Sequence, residues 1–285
     1  MEVKRTIDLK TLPQDKSLKF LYKNSFGRII LKVITLPFVS SLVGAYMNSG
    51  LSKGRIDKFI MTNGINMEDY EKAEFKSFNE FFTRKIKAEK RPFPKEKSVL
   101  FSPCDGKLSA YKISKDTVLP VKGSSYTISQ LLDNPDLAKE YEGGSCLVFR
   151  LAVDDYHRYC YIDDGTKTDN VKIKGKLHTV QPIALNMMPV FVQNSREYTV
   201  LHTENFGDVV QVEVGALCVG KIKNHHGSGK ITAGQEKGMF LFGGSTIILL
   251  IHKDEAEIQQ EFFKNTENSM ETIVKMGEPI GRKIR

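Results

Sequence analysis

The chain has 285 residues, of which 40% are hydrophobic and 27% charged, with a net charge of +8. This length and apolar content exclude a disordered chain and a polytopic membrane protein, and they supply enough chain for a proper core in one large domain or two small ones. The positive charge points to an anionic partner, either nucleic acid or an acidic lipid surface.

The N-terminus, MEVKRTIDLKTLPQDK, is too polar for a secretory signal. From Lys16 to Ile56 there is no Asp or Glu, while Lys16, Lys19, Lys23, Arg28, Lys32, Lys53 and Arg55 are basic. Threaded through them is FGRIILKVITLPFVSSLVGAYM, residues 26–47. A spanning helix needs about 20 predominantly apolar residues, and Lys32 and Pro37 interrupt this one. The pattern predicts an interfacial helix pair that breaks near Pro37. Its apolar groups would enter the acyl boundary while its cations, worth roughly 1 kcal/mol each, meet anionic headgroups. An apolar helix packed on the protein's own core is the alternative. Nucleic acid fits less well, because the basic residues alternate with long aliphatics rather than with stacking aromatics.

In EKAEFKSFNEFFTRKIKAEKRPFP, Phe75, Phe78, Phe81 and Phe82 recur at helical spacing, and Arg91-Pro92 ends the pattern. Residues 1–90 are therefore expected to form a basic, helical, membrane-associating region. From Ser98 onward short strands and turns take over: VLFSPCDGKLSAYKI, SCLVFRLAV, DNVKIKGKLHTV, REYTVLHTENFGDVVQVEVGALCVGKI and FLFGGSTIILLIH. A turn from Asn205 to Asp208 separates two alternating runs and predicts a hairpin. Residues 126–141, YTISQLLDNPDLAKEY, are the one helix expected here. The fold class is α+β, with a helical N-terminal part followed by a mainly antiparallel β catalytic domain over residues 91–285. Cys104, Cys146, Cys160 and Cys218 show no CxxC spacing and read as free thiols in a reducing compartment.

The run MFLFGGSTIILLI, residues 239–251, breaks a strand pattern with two glycines and a serine. Such a break marks a bulge or bend, or else Ser245 is a reacting group. Two other polar residues also sit at strand ends. Asp105 lies in SPCDGKL, where an Asp-Gly turn is the plain reading. His157 lies in LAVDDYHRYCYI, where a crowd of polar groups is costly unless it is paired or faces a cavity. A serine, a histidine and an aspartate are the parts of an activated nucleophile.

Taken in order, the blocks FKSFNEFFTRKI, RPF, SPCDGKL, DDYHRYC, VQPIAL, NSREYTV, FGDVVQVEVGALCVGKI and GQEKGMFLFGGSTIILL resemble the pyruvoyl-dependent phosphatidylserine decarboxylases. The likeness covers nearly the whole chain from about residue 70. It implies self-cleavage between Gly244 and Ser245 into a β chain, residues 1–244, and an α chain, residues 245–285. In that scheme Ser245 attacks the Gly244 carbonyl, the ester eliminates, and position 245 becomes the pyruvoyl cofactor, which takes the substrate's amine as a Schiff base and acts as an electron sink. His157 is the candidate to return a proton to the substrate carbanion.

The family often has a second histidine three residues after the first, and this chain has Cys160 there. The base for cleavage is then His157, His178 or Cys160, in that order of preference. Against His178 stands its strand parity with Lys172, Lys174 and Lys176, which reads as a solvated face. His202, His225, His226 and His252 read as surface or core residues, and no metal site is expected. The resemblance further implies phosphatidylserine as substrate, an anionic membrane surface as partner, no nucleic acid, and a peripheral position on the cytoplasmic side of the cell membrane; it leaves a homo-oligomer open. A pyruvoyl decarboxylase for a soluble amino acid would not account for the acid-free segment. A non-enzymatic membrane-binding β module would leave the chain uncleaved.

Overall fold

The computed structural model describes residues 5–11, 16–35, 37–114, 118–121, 124–176, 178–179, 181, 184, 190–216, 221–242 and 245–284. Cys218, Gly243 and Gly244 lie outside them. The first strands in chain order are β1 (Thr6–Asp8), β2 (Val99–Phe101), β3 (Gly106–Lys112), β4 (Val118–Val121), β5 (Ser124–Thr127) and β6 (Ser145–Leu151). Next come β7 (Arg158–Cys160), β8 (Gly165–Lys167), β9 (Val171–Ile173), β10 (Arg196–Thr203), β11 (Asp208–Val214) and β12 (Ile222–Asn224). The last are β13 (Gly229–Ile231), β14 (Glu236–Phe240), β15 (Ser245–Ile251), β16 (Ala256–Ile258), β17 (Met270–Val274) and β18 (Pro279–Lys283).

A ten-stranded antiparallel sheet forms the centre, ordered β1-β17-β3-β6-β15-β11-β10-β8-β13, with β9 also on β10. The sequence of β15, STIILLI, explains its central place, since every residue in it is buried. Ile248 and Leu250 point into one core, whereas Ile247, Leu249 and Ile251 point into another. A strand apolar on both faces is stable only where both faces are covered. Tyr22 and Leu31 from the N-terminal helices help cover one face. The other lies under Tyr159 and Phe240 of the small sheet β12-β14-β7 and under Phe262 of the helix Gln260–Glu267. The hairpin expected around Asn205–Asp208 is the β10–β11 pair, turning at Gly207 with φ +63°.

The helical region begins with an exception: Thr6–Asp8 is an edge strand bonded to β17, so the first described residues belong to the sheet. After it come α1 (Lys16–Lys23), α2 (Ser25–Ile34), α3 (Pro37–Asn48), α4 (Ile56–Asn63) and α5 (Phe78–Phe82). The break between α2 and α3 falls where Pro37 predicts it, with the proline in the first helical position. Among the described residues no helix is long and apolar enough to cross a membrane. The helix expected from the phenylalanine spacing shrinks to α5. Ser77 caps its start, and Thr83 at its end bonds back to the Asn79 carbonyl. The rings still cluster, with Phe78 and Phe81 joining Met47 and Ile56 in a third core. Likewise, residues 126–141 form two short helices, α6 (Ile128–Leu132) and α7 (Pro135–Glu140). Between them Asp133 turns left-handed at φ 51° and Pro135 keeps Asn134 out of the α region. The helix Gln260–Glu267 was not expected from the sequence.

Candidate active site

Ser245 is the first residue of β15 and pairs with Leu151, the last residue of β6. Its side chain is fully buried, and its hydroxyl has no hydrogen-bond partner among the described residues. A buried unsatisfied hydroxyl costs about 1–3 kcal/mol, and Thr246 beside it carries a second one; Ser245 differs in standing at the head of the strand, directly after the two glycines. The approach to Ser245 is held by α5. The Phe242 N–H donates to Asn79 Oδ1 at 2.9 Å, and the Phe242 ring packs edge-on against Phe78 (5.0 Å) and Phe82 (5.3 Å).

His157 reaches the same end of the sheet by another route. Beyond Leu151 the chain turns through Ala152–Tyr156, and the Asp155 carboxylate pins this turn. It accepts the Ala152 N–H at 2.7 Å and the Lys107 ammonium at 2.5 Å, and the Asp155 and Lys107 side chains are both buried. Lys107 and Arg150 are cross-strand neighbours, and each has its own buried carboxylate, Asp155 and Glu271. The Asp155 carbonyl lies 2.8 Å from His157 Nδ1. A carbonyl can only accept, so Nδ1 carries the proton and Nε2 is left with its lone pair. That Nε2 is buried and has no partner among the described residues. Burial, reinforced by the nearby charges of Arg84 and Lys107, pushes the His157 pKa down to about 4. The Phe82 ring lies 4.2 Å from the imidazole. The imidazole is therefore a neutral, oriented base at neutral pH.

Asp105 is not brought to His157. Its carboxylate takes two hydrogen bonds from Arg91 (2.7 and 2.5 Å), one from Lys275 (3.3 Å) and one from the Met276 N–H (2.9 Å). Burial pushes its pKa up, but the bonds and charges of Arg91 and Lys275 outweigh this and hold it below the ordinary value. The group that orients His157 is instead the main chain of Asp155. His178 is not on a solvated face: the alternation ends at the Lys176 bridge, and His178 is buried. Its Nδ1 lies 3.4 Å from the Tyr22 hydroxyl, and its N–H donates to Asn194 Oδ1. The Cys160 thiol is buried 3.4 Å from the Pro103 carbonyl, and burial pushes its pKa up, so it holds its proton. Cys104, Cys146 and Cys160 are free thiols. Of the remaining histidines, His202 pairs with Asp208, His225 with Glu236, His226 with Tyr161, and His252 stacks on Tyr141.

The sequence reading passed over Lys107, Asn79 and Arg84. A lysine inside the buried strand GKLSAYK was the available signal, because a buried charge requires a partner. A cavity of about 410 Å³ opens nearby among Arg91, Tyr156, Arg158, Cys160 and Met276, but neither His157 nor Ser245 lines it.

The family model described as phosphatidylserine decarboxylase matches residues 78–282. "Phosphatidylserine decarboxylase proenzyme 2" of Clostridium acetobutylicum is 48% identical over 283 residues, covering 96% of this chain and 96% of its own. "Phosphatidylserine decarboxylase proenzyme" of Clostridium botulinum strain 657 is 44% identical, covering 96% and 95%, and that of Clostridium novyi is 42% identical, covering 97% and 96%.

Proposed function

The chain belongs to the phosphatidylserine decarboxylase family, and on that premise we propose that it cuts itself between Gly244 and Ser245 and then converts phosphatidylserine to phosphatidylethanolamine at a membrane surface. The observation that carries this reading is the buried, unpartnered Ser245 hydroxyl at the head of β15, at the end of the sheet where a neutral His157 keeps Nε2 free. His157 Nε2 takes the hydroxyl proton as the oxygen adds to the Gly244 carbonyl. The Ser245 amide nitrogen leaves with a proton, and an ester replaces the peptide bond. Loss of the Ser245 α-proton then expels the Gly244 carboxylate, and water releases ammonia from the new N-terminus. The products are a β chain, residues 1–244, and an α chain, residues 245–285, that begins in pyruvoyl.

The position fits that group, since residue 245 is fully buried, paired with Leu151 on β6 and three residues after Phe242, whose ring packs on Phe82. The pyruvoyl group supplies the electron sink for loss of carbon dioxide. His157, protonated in turn, returns a proton to the substrate carbon. Asp105 serves as an anchor, tying the start of β3 to Arg91 and to the residues after β17. His178 and Cys160 stand outside the proton transfers, each held in its own buried contacts.

The N-terminal helices provide the route to a lipid substrate. Phe26, Ile29, Phe38, Leu42 and Met61 are exposed, Phe38 at 71%, among the exposed cations Lys19, Lys23, Arg28, Lys32, Arg55 and Lys58. Apolar side chains at that exposure, ringed by cations, suit the acyl boundary of an anionic bilayer. A peripheral position on the cytoplasmic side of the cell membrane is part of this proposal, supported by the exposed apolar and cationic side chains of these helices. A soluble amino acid as substrate would leave this face without a purpose.

Intact mass under denaturing conditions tests the proposal. The wild type should give two chains, the α chain blocked by pyruvoyl, and release carbon dioxide from phosphatidylserine vesicles. Ser245→Ala should give one inactive chain, and a cleaved Ser245→Ala protein would overturn the mechanism.

A further inference from the structure

Arg84 is a cation without an anion. It is 4% exposed, yet among the described residues no carboxylate lies within ion-pair distance of it. The other buried or half-buried arginines of this region are matched: Arg91 to Asp105, Arg150 to Glu271, Arg158 to Glu236. Arg196 also has no carboxylate within ion-pair distance among the described residues, but it spends its guanidinium on the carbonyls of Leu131, Val192, Asn194 and Gln130. Arg84 has only the Phe81 carbonyl (3.2 Å) and the Tyr70 hydroxyl (3.1 Å), with its guanidinium over the rings of Tyr70 (4.1 Å) and Phe81 (4.6 Å). Its Nε–H is buried and has no partner among the described residues. Aromatic faces hold a guanidinium in place, but they leave its charge uncompensated, and a buried charge is costly without a counter-ion.

Arg84 is tied to the reaction centre through the two residues before it. Phe82, two residues before it, lies on His157, and the Thr83 carbonyl accepts from Arg158 Nε and Nη2 at 2.9 and 2.7 Å. Ser245 Oγ, His157 Nε2 and Arg84 Nε are among the buried side-chain atoms without partners within the described residues, and the Phe82 ring touches both His157 and Phe242, three residues before Ser245.

We propose that Arg84 binds the phosphodiester anion of the phospholipid substrate and so sets the position of the headgroup's reacting carbon against His157. This rests on the substrate reading above. The phosphodiester is favoured over the headgroup carboxylate by the chemistry. The carboxylate's electrons must flow into carbon as carbon dioxide leaves, so an ion pair on it would stabilise the ground state more than the transition state. The phosphodiester keeps its charge throughout and can hold an arginine from binding to release. In the uncleaved chain all three atoms are sealed off.

The test compares wild type, Arg84→Lys and Arg84→Gln, each checked for cleavage by intact mass. The substrates are dihexanoyl phosphatidylserine and its neutral methyl phosphotriester, with carbon dioxide release as readout. Loss of a charged hydrogen bond predicts that wild type prefers the diester by about 10- to 100-fold in kcat/KM, mostly through KM. Arg84→Gln should lose this preference by falling on the diester alone, and Arg84→Lys should keep part of it. Equal turnover of diester and triester by wild type would overturn the proposal, as would an Arg84→Gln defect of the same size on both. If Arg84→Gln fails to fold or cleave, the wild-type ratio together with Arg84→Lys still decides. A wild type inactive on the diester would remove the substrate reading itself, and this inference with it.

Discussion

Replacing Lys107 by methionine tests whether the pinned turn before His157 holds the site together. Lys107 is the only cation within ion-pair distance of Asp155 among the described residues, and both side chains are buried. Burial already raises the Asp155 pKa, and the Lys107 charge and hydrogen bond oppose that rise. Lys107→Met therefore leaves a carboxylate that must either stay charged in a dry core or take up a proton. Breaking one side of a buried pair costs about 3–5 kcal/mol. In the double variant Lys107→Met/Asp155→Asn the amide still accepts the Ala152 N–H but carries no charge, so most of the loss should return. Urea unfolding should be measured in a Ser245→Ala background, which keeps a single chain. With a slope of roughly 3 kcal/mol/M for a protein of this size, the single variant should unfold about 1 M earlier, and the double variant closer to the parent. In the Ser245 background the single variant should also cleave more slowly, because the carbonyl that orients His157 belongs to the same turn. An unchanged midpoint for Lys107→Met, or a double variant no better than the single, would refute the reasoning.

Self-cleavage should be insensitive to pH from neutrality down to about 5 and fall only as pH approaches 4, because the His157 pKa is pushed down to about 4. Above pH 6.5 the imidazole is neutral in folded and unfolded chains. Between 6.5 and 4 only the unfolded chain takes up the proton, so stability is lost as pH falls through that window, by roughly 3 kcal/mol in full. A cleavage rate that halves near pH 6.5 contradicts the buried neutral base. Asn79→Ala removes the acceptor of the Phe242 N–H and the donor to Asn48 and should slow cleavage about tenfold while lowering the unfolding free energy by only about 1–3 kcal/mol; normal cleavage would show that α5 does not position the scissile segment. Phe26→Ser with Phe38→Ser, both exposed, should weaken sedimentation with anionic vesicles and leave cleavage unchanged. Binding that is equally strong would place the lipid contact elsewhere.

Much of this architecture was legible in local pattern. The β10–β11 hairpin, the break at Pro37 and the placing of Ser245 and His157 at strand ends follow from alternation, proline geometry and the cost of polar groups beside apolar runs. These signals need only neighbours a few residues apart. The ordered blocks then brought the chain to its family, which the relatives bear out across nearly its full length.

The partners of the charged residues were not legible, because each is chosen across the fold. Asp105 answers to Arg91 and Lys275, Lys107 to Asp155, and Arg84 to no carboxylate at all among the described residues. His178 shows the same limit: its strand parity with exposed lysines ends at a single bridge, and packing against Tyr22, 156 positions away, buries it. The edge strand Thr6–Asp8 is too short to carry a period and exists only because β17 offers it an unpaired edge. Residue types and their spacing thus determined which chemistry the chain could carry. Only the tertiary structure decided which charges cancel, which imidazole keeps a free lone pair, and which cation is left waiting, because burial and pairing are properties of neighbours distant in the chain.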